Sequence, residues 1–318
     1  MTEKSHKIAV IGGAGFIGSH LVNLLSRQGK KVYLYDNFSS GKRAFLNQND
    51  KLYVTVGDIL DQYKLSEFID DVQPDLVYHL AAIHYIPQCE DNPSEAIRIN
   101  IEGTQNVLNA CANKVPRLIF TSTGAIYSPD IETKLPEESL IDTRDVYGMT
   151  KYSGEKLVEH YMRKGRGEAI IVRLFNAVGL NETNPHLIPA ILEQLEEGKV
   201  KVELGNLYPK RDYIHVQDIA DGLYALGSIS DLPEKRIFNL GSGTERSIQE
   251  LMDYFKEETA LPLEFVQVAS RMRKNDRKSQ LADNSFLREI TDWYPRRDVK
   301  QAIAEIWAEL QKNKIFNS

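Results

Sequence analysis

A cluster of glycines between a strand and a helix constrains this chain more than any other feature. Ile8–Ile11 is short, apolar and β-branched, and Gly12-Gly13-Ala14-Gly15-Phe16-Ile17-Gly18 follows it directly. From Phe16 to Gln28 the apolar residues Ile17, Leu21, Leu24 and Leu25 recur at helical spacing, and Gly29 stops the run. Strand, tight turn and helix open a crossover unit, and the first half keeps alternating. Lys31–Tyr35, Leu52–Val56, Leu76–Leu80, Leu118–Phe120 and Ala169–Arg173 read as strands, with helices at Gln62–Asp71, Pro93–Asn113 and Tyr147–Lys164. The strands are nearly continuously apolar, as burial on both faces requires. The fold class is therefore α/β, a doubly wound parallel sheet with helices on both faces.

After about Asn176 the texture changes. Turn-rich stretches (Asn181–Pro185, Gly205–Arg211, Gly241–Thr244, Ala269–Gln280) separate helices near Leu187–Glu197, Val216–Leu226, Ser247–Thr259 and Asp298–Gln311, with extra strands at Ile237–Leu240 and Leu263–Val266. The expected division is a sheet domain over 1–175, to which later segments return, and a smaller α/β lobe over 176–318. No repeat or low-complexity linker separates them. A formal net charge of −6 argues against a general nucleic-acid binder. No apolar run approaches the ~18 residues of a membrane span, so a cytoplasmic protein is expected. Cys89 and Cys111 form no C-x-x-C pair, so neither a disulfide framework nor a metal site is expected.

Gly12, Gly15 and Gly18 give the spacing G-x-x-G-x-x-G. Glycines there permit a tight turn, close backbone approach to a pyrophosphate, and close packing of helix on strand. The N-terminus of the helix, with Phe16 and Ile17, adds free N–H groups and partial positive charge. A simple structural turn is the plain alternative. Asp36 ends the second strand 18 residues past Gly18, where its carboxylate can accept from ribose hydroxyls and would repel a 2′-phosphate. That favours NAD over NADP, although Lys42 and Arg43 lie close behind. Asp58 and Ile59, after the third strand, could border the adenine.

Tyr147 and Lys151 stand four residues apart, on one face of a helix. A free phenol, with a pKa near ~10, is a poor base at neutral pH. A lysine cation and an oxidised nicotinamide nearby would both favour phenolate. Thr123, after the strand end at Thr121, offers a hydroxyl to share a substrate proton. Tyr and Lys also fall four apart on helices by chance; the glycine turn upstream gives this pair its meaning.

Taken together, these segments resemble the extended short-chain dehydrogenase/reductases, and among them the UDP-galactose 4-epimerases. The resemblance is carried by Ile11–His20, Asp36-Asn37-Phe38-Ser39-Ser40-Gly41, His79-Leu80-Ala81-Ala82, Asn100-Ile101-Glu102-Gly103-Thr104, Thr121–Tyr127, Tyr147-x-x-x-Lys151, Arg173–Asn176 and Arg211–Val216. It implies a Rossmann domain with a smaller C-terminal substrate lobe. It also implies that Tyr147 is the base, that Lys151 holds the nicotinamide ribose, and that Thr123 orients the sugar 4-hydroxyl. Hydride would pass to NAD and return to the other face of a 4-keto sugar. By the same resemblance Asn37, Ser39, Ser40, Gly41, Thr121 and the Leu80-Ala81-Ala82 loop join the cofactor site, with Asn100 at a strand end near the nicotinamide. Nucleotide-sugar contacts are expected from Asn176, His186, Leu187, Arg211, Arg273 and Asp276. A homodimer through a four-helix bundle is implied as well.

Two departures bear on the reaction. Sugar-nucleotide dehydratases of this group carry an acidic pair after the Ser/Thr, whereas this chain has Gly124-Ala125. The loop Ile83–Cys89 is unlike that of galactose epimerases, and His84 and Tyr85 within it could reach the sugar. The leading expectation is C4 epimerisation of a nucleotide hexose, most simply a UDP-sugar. A dehydratase or other 4-keto-forming enzyme is the second reading, and a non-catalytic NAD-binding sensor the third.

Overall fold

The computed structural model describes residues 6–272 and 277–317. A seven-stranded parallel sheet organises it: β1 (Lys7–Ile11), β2 (Lys31–Asp36), β3 (Leu52–Val56), β4 (Leu76–His79), β5 (Arg117–Thr123), β7 (Glu168–Leu174) and β11 (Ile237–Leu240). Across the sheet they run β11-β7-β5-β4-β1-β2-β3, the doubly wound order expected from the alternation. Strand order reverses between β1 and β4, and a crevice opens at the carboxyl ends of the strands at such a switch point. The short two-residue β6 (Lys134–Leu135) pairs with β14 (Leu281–Ala282) beside it.

Helices α1 (Phe16–Arg27), α2 (Gln62–Val72), α3 (Ile86–Asp91), α4 (Pro93–Ile97), α5 (Gly103–Cys111), α6 (Val146–Arg163) and α8 (Val216–Gly227) flank the sheet. The span 93–113 is not one regular helix. Arg98–Glu102 widens into a π-turn between α4 and α5, and the helix ends at Cys111. Asn100 therefore sits on helical backbone rather than at a strand end. The widened turn puts the Asn100 amide against the Ile83 backbone, accepting from its N at 2.8 Å and donating to its O at 2.9 Å.

One apolar core fills each face. The first joins Val10, Leu21, Leu25 and Leu34 to Ile219, Leu223, Phe238, Leu240 and Trp293 from the second half of the chain. The second packs Ile11, Leu65, Ile69, Val107 and Phe120 under α2, α5 and α6. The remaining elements, β8 (Asn176–Val178), α7 (Leu187–Glu196), β9 (Lys201–Leu204), β10 (Lys210–His215), β12 (Glu245–Ser247), α9 (Ile248–Thr259), β13 (Glu264–Gln267), α10 (Ser285–Thr291) and α11 (Val299–Asn317), lie mainly beyond the carboxyl edge. Ile191, Val202, Leu251, Phe255 and Ile303 make a third core there. The stretch read as a turn up to Arg211 instead enters β10, which pairs with β8 and β12. That pairing brings Arg211 and Asn176 to the mouth of the crevice.

Candidate active site

A cleft of about 1310 Å³ runs along the carboxyl edge of the sheet. Gly12, Gly15, Phe16, Ile17, Gly18, Asp36, Asn37, Ser39, Ser40, Asp58, Ile59, Leu80, Ala81, Ala82 and Thr121 line one part of it. Thr123, Tyr147, Lys151 and His84 line the middle, and Asn176, His186, Leu187 and Arg211 the other end. Two expected cofactor residues do not line it. Gly41 instead packs on the glycine turn, where a Cβ would lie 2.5 Å from the Ala14 carbonyl carbon. Asn100 is buried, and besides bracing Ile83 it donates to Thr150 Oγ1 at 2.9 Å. Both act behind the wall. Arg273 and Asp276 lie outside the described residues.

The glycine turn fits a dinucleotide pyrophosphate. Gly12 has φ +82°, and a Cβ there would stand 2.4 Å from Ala81 N. A Cβ on Gly18 would meet Gly12 O at 2.2 Å, whereas at Gly15 the nearest atom is 3.6 Å away. Two glycines are thus required by packing, and the middle one leaves the turn open to the cleft. Asp36 accepts from Ala14 N (2.9 Å) and Phe38 N (2.7 Å). Burial pushes its carboxyl upward, and those two amides oppose the rise. The short bond to Phe38 holds that residue at φ +57°, a costly conformation for a bulky side chain. Arg43 stacks on the Phe38 ring at 4.9 Å. Asn37 donates to Asp58 Oδ2 at 2.9 Å, joining the ends of β2 and β3.

Helix α6 delivers the phenol and the ammonium. Asp145 caps its N-terminus by accepting from Gly148 N at 2.7 Å. The Tyr147 side chain is hydrogen-bonded to that of Thr123. Burial nevertheless raises the phenol well above its ordinary value, with the Thr123 bond only partly opposing it. The expected pull toward phenolate came from Lys151 and an oxidised nicotinamide together, and burial is what the protein sets against it. Burial lowers Lys151 to about 7, against the opposing charge of Glu155. Its Nζ sits 4.3 Å from the centre of the Phe120 ring, whose Cζ would be 2.6 Å from a Cβ on Gly154. A glycine on α6 thus lets the helix close on the ring that supports the lysine.

Arg277 and Glu182 at the cleft escaped the sequence reading, and they lie among residues it had named. Arg277 Nη2 donates to the carbonyls of Ala125 (3.2 Å) and Tyr127 (3.0 Å), and Arg211 Nη1 to those of Lys210 and Arg277 (both 2.8 Å). Arginine and glutamate are too common in loops for Arg277 or Glu182 to stand out by spacing. Glu182 lines the cleft in the turn before α7; burial lifts its carboxyl to about 7 despite the amides of Asn184 and Thr183. His84 lies within 3.0 Å of the Asn184 side chain, and burial, then Lys151, lower its imidazole to about 4. The His84 and His186 rings are 5.8 Å apart, with Tyr85 edge-on to His186.

Comparison with known proteins agrees with this construction. A model of the NAD dependent epimerase/dehydratase family matches residues 8–241. The UDP-glucose 4-epimerase of Rhizobium meliloti is 30% identical over 96% of this chain and 97% of its own length. Among solved structures, a UDP-glucose 4-epimerase with UDP-glucose from Thermotoga maritima superposes with a TM-score of 0.89 at 28% identity, covering 96% of this chain and 99% of the other. A UDP-N-acetylglucosamine 4-epimerase from Methanobrevibacter ruminantium, in complex with UDP-N-acetylmuramic acid, gives 0.87 at 27%, covering 97% and 99%. With a glycine turn shaped for a pyrophosphate, an acidic residue closing β2, and a Thr–Tyr–Lys set facing the same cleft, the chain belongs to the NAD-dependent epimerase/dehydratase family.

Proposed function

We propose that this protein inverts C4 of a UDP-linked hexose through a transient 4-keto sugar, using tightly held NAD. The observation that carries the reading is the convergence of Thr123, Tyr147 and Lys151 on the cleft that the glycine turn also lines. Gly12, Gly15, Gly18 and the first turn of α1 would hold the pyrophosphate, and Asp36 the adenosine ribose. Bound NAD supplies a hydride acceptor and a positive ring beside the phenol. Thr123 fixes the sugar hydroxyl against Tyr147, which takes its proton as the C4 hydrogen leaves; Lys151 holds the ribose and stabilises the phenolate. Asn176, the N-terminal turn of α7 and Arg211 would bind the nucleotide diphosphate. Gly124 and Ala125 offer no acid for expelling a hydroxyl, which supports epimerisation over dehydration.

Incubation with UDP-glucose, UDP-galactose and their N-acetyl counterparts, followed by proton NMR, tests the reading. C4-inverted product without net NADH is expected. Loss of water from the sugar would make the protein a dehydratase, and no turnover of any UDP-sugar would sink the enzyme assignment.

The working unit in this reading is a cytoplasmic homodimer. Ile97 and Met149, at 41% and 42% exposure, put apolar surface on the packed α4 and α6, and buried, unpaired Cys89 and Cys111 suit a reducing compartment. Among the described residues no helix is long and apolar enough to cross a membrane.

A further inference from the structure

We propose that His84, Glu182 and His186 form a binding site for a divalent transition cation of the zinc class, on the wall of the cleft beside Lys151. No local spacing announces these ligands, because His84 follows β4 while the other two precede α7, about a hundred positions later. The fold nonetheless gathers one ligand atom from each within 4.8 Å of one another, with His84 Nε2 4.0 Å from Glu182 Oε1. Three points so placed share a centre no more than about 2.8 Å from each, so closing to zinc–nitrogen or zinc–oxygen distances of about 2.0–2.2 Å asks for shifts of well under about 1 Å.

The chemistry of the set favours this class of ion. Two imidazoles and one carboxylate match borderline metals, whereas magnesium and calcium prefer all-oxygen shells. The Asn184 amide nitrogen stands 3.0 Å from His84 Nε2; as a donor it marks that nitrogen as the one carrying the lone pair, and an arriving cation would take the amide's place there. The Glu182 side chain is only 8% exposed, and the His84 imidazole stands 4.0 Å from its carboxylate. A mostly buried carboxylate in such surroundings gains from a cation placed between it and the imidazoles. Amides of Thr183 and Asn184, each 2.9 Å from Glu182 Oε1, hold the carboxylate in orientation. All three residues line the cleft, so the ion would keep positions open for water or a substrate oxygen.

The experiment titrates chelator-stripped full-length protein with zinc chloride by calorimetry and with cobalt(II) in the visible spectrum. It needs no turnover, so its outcome is independent of the sugar reading. One zinc per chain is expected, with cobalt bands typical of a low-coordinate nitrogen and oxygen shell. His84→Asn and His186→Asn should each weaken zinc at least about tenfold, and Glu182→Gln, which preserves shape, should do the same with an unchanged melting temperature. Absence of zinc binding to the wild type, or stoichiometric binding that all three folded variants retain undiminished, overturns the site.

Discussion

Lys151 is expensive to keep where it is. Nearly all of it is buried, and its ammonium gives up water for a ring face and a distant carboxylate. Its folded value of about 7 lies below the 10.5 of a free lysine, so between those limits the unfolded chain binds the extra proton. Stability therefore rises with pH across that window, and the full penalty applies below it. In protein freed of dinucleotide, Lys151→Met should raise the melting temperature most at pH 6, with the gain shrinking toward pH 10. A gain that ignores pH would mean that burial of charge is not its source. Tyr147→Phe removes only the proton acceptor; kcat should fall by about 10²–10⁴-fold while UDP-sugar affinity, measured calorimetrically, changes little. Equal losses in both would show that the hydroxyl serves binding. These residues were legible because each belongs to a short motif with its own chemical logic. Glu182 and Arg277 were not, nor was the meeting of His84 with Glu182, since that neighbourhood exists only after β4, α7 and the segment following β13 have met.

Elements show a second kind of invisibility. Arg173 on β7 forks onto Glu155 of α6, Nε to Oε1 at 2.9 Å and Nη2 to Oε2 at 2.8 Å, with side chains 2% and 0% exposed. Its Nη1 also donates to Tyr127 Oη (2.9 Å) and Glu137 O (2.7 Å). Strand and helix are thus locked one turn beyond Lys151. Arg173→Met should cost about 3–5 kcal/mol by stranding Glu155, and Arg173→Met with Glu155→Leu should recover most of it. Denaturant melts of the three proteins decide the matter; a double variant no better than the single would place the cost in Tyr127 and Glu137 instead. The sequence showed both elements plainly, since an 18-residue amphipathic helix and a seven-residue apolar strand are strong patterns. It could not show β6, β8, β12 or β14, which are two or three residues long and owe their pairing to neighbours. The π-turn at Arg98–Glu102 was likewise hidden, because one widened turn leaves helical periodicity almost intact.

At the scale of the molecule, spatial order departs from chain order. The edge strand β11 pairs with β7 from Ile171 to Leu174, and α8 packs on α1. His20 Nε2 contacts Leu180 O at 2.8 Å, and its Nδ1 meets the Gln217 amide at 2.7 Å, tying the glycine-turn helix to both later segments. A fragment ending at residue 175 would bare the edge of β7 that β11 covers and the face of α1 that α8 covers. It should collect in inclusion bodies, or show no cooperative melt if refolded; a soluble fragment melting sharply would refute this view of the core. Sedimentation of the intact chain provides the companion measurement: mass rising from one to two subunits with concentration is expected, and a fixed single-subunit mass would remove the proposed association.

The return of β11 has a consequence for how such a protein can change over evolutionary time. Because the final strand of the nucleotide platform is encoded downstream of the parts proposed to grip the sugar, neither portion can be exchanged as a cassette by a single genetic crossover. New specificities must arise by point replacement and loop remodelling around a frame whose two ends are stitched together.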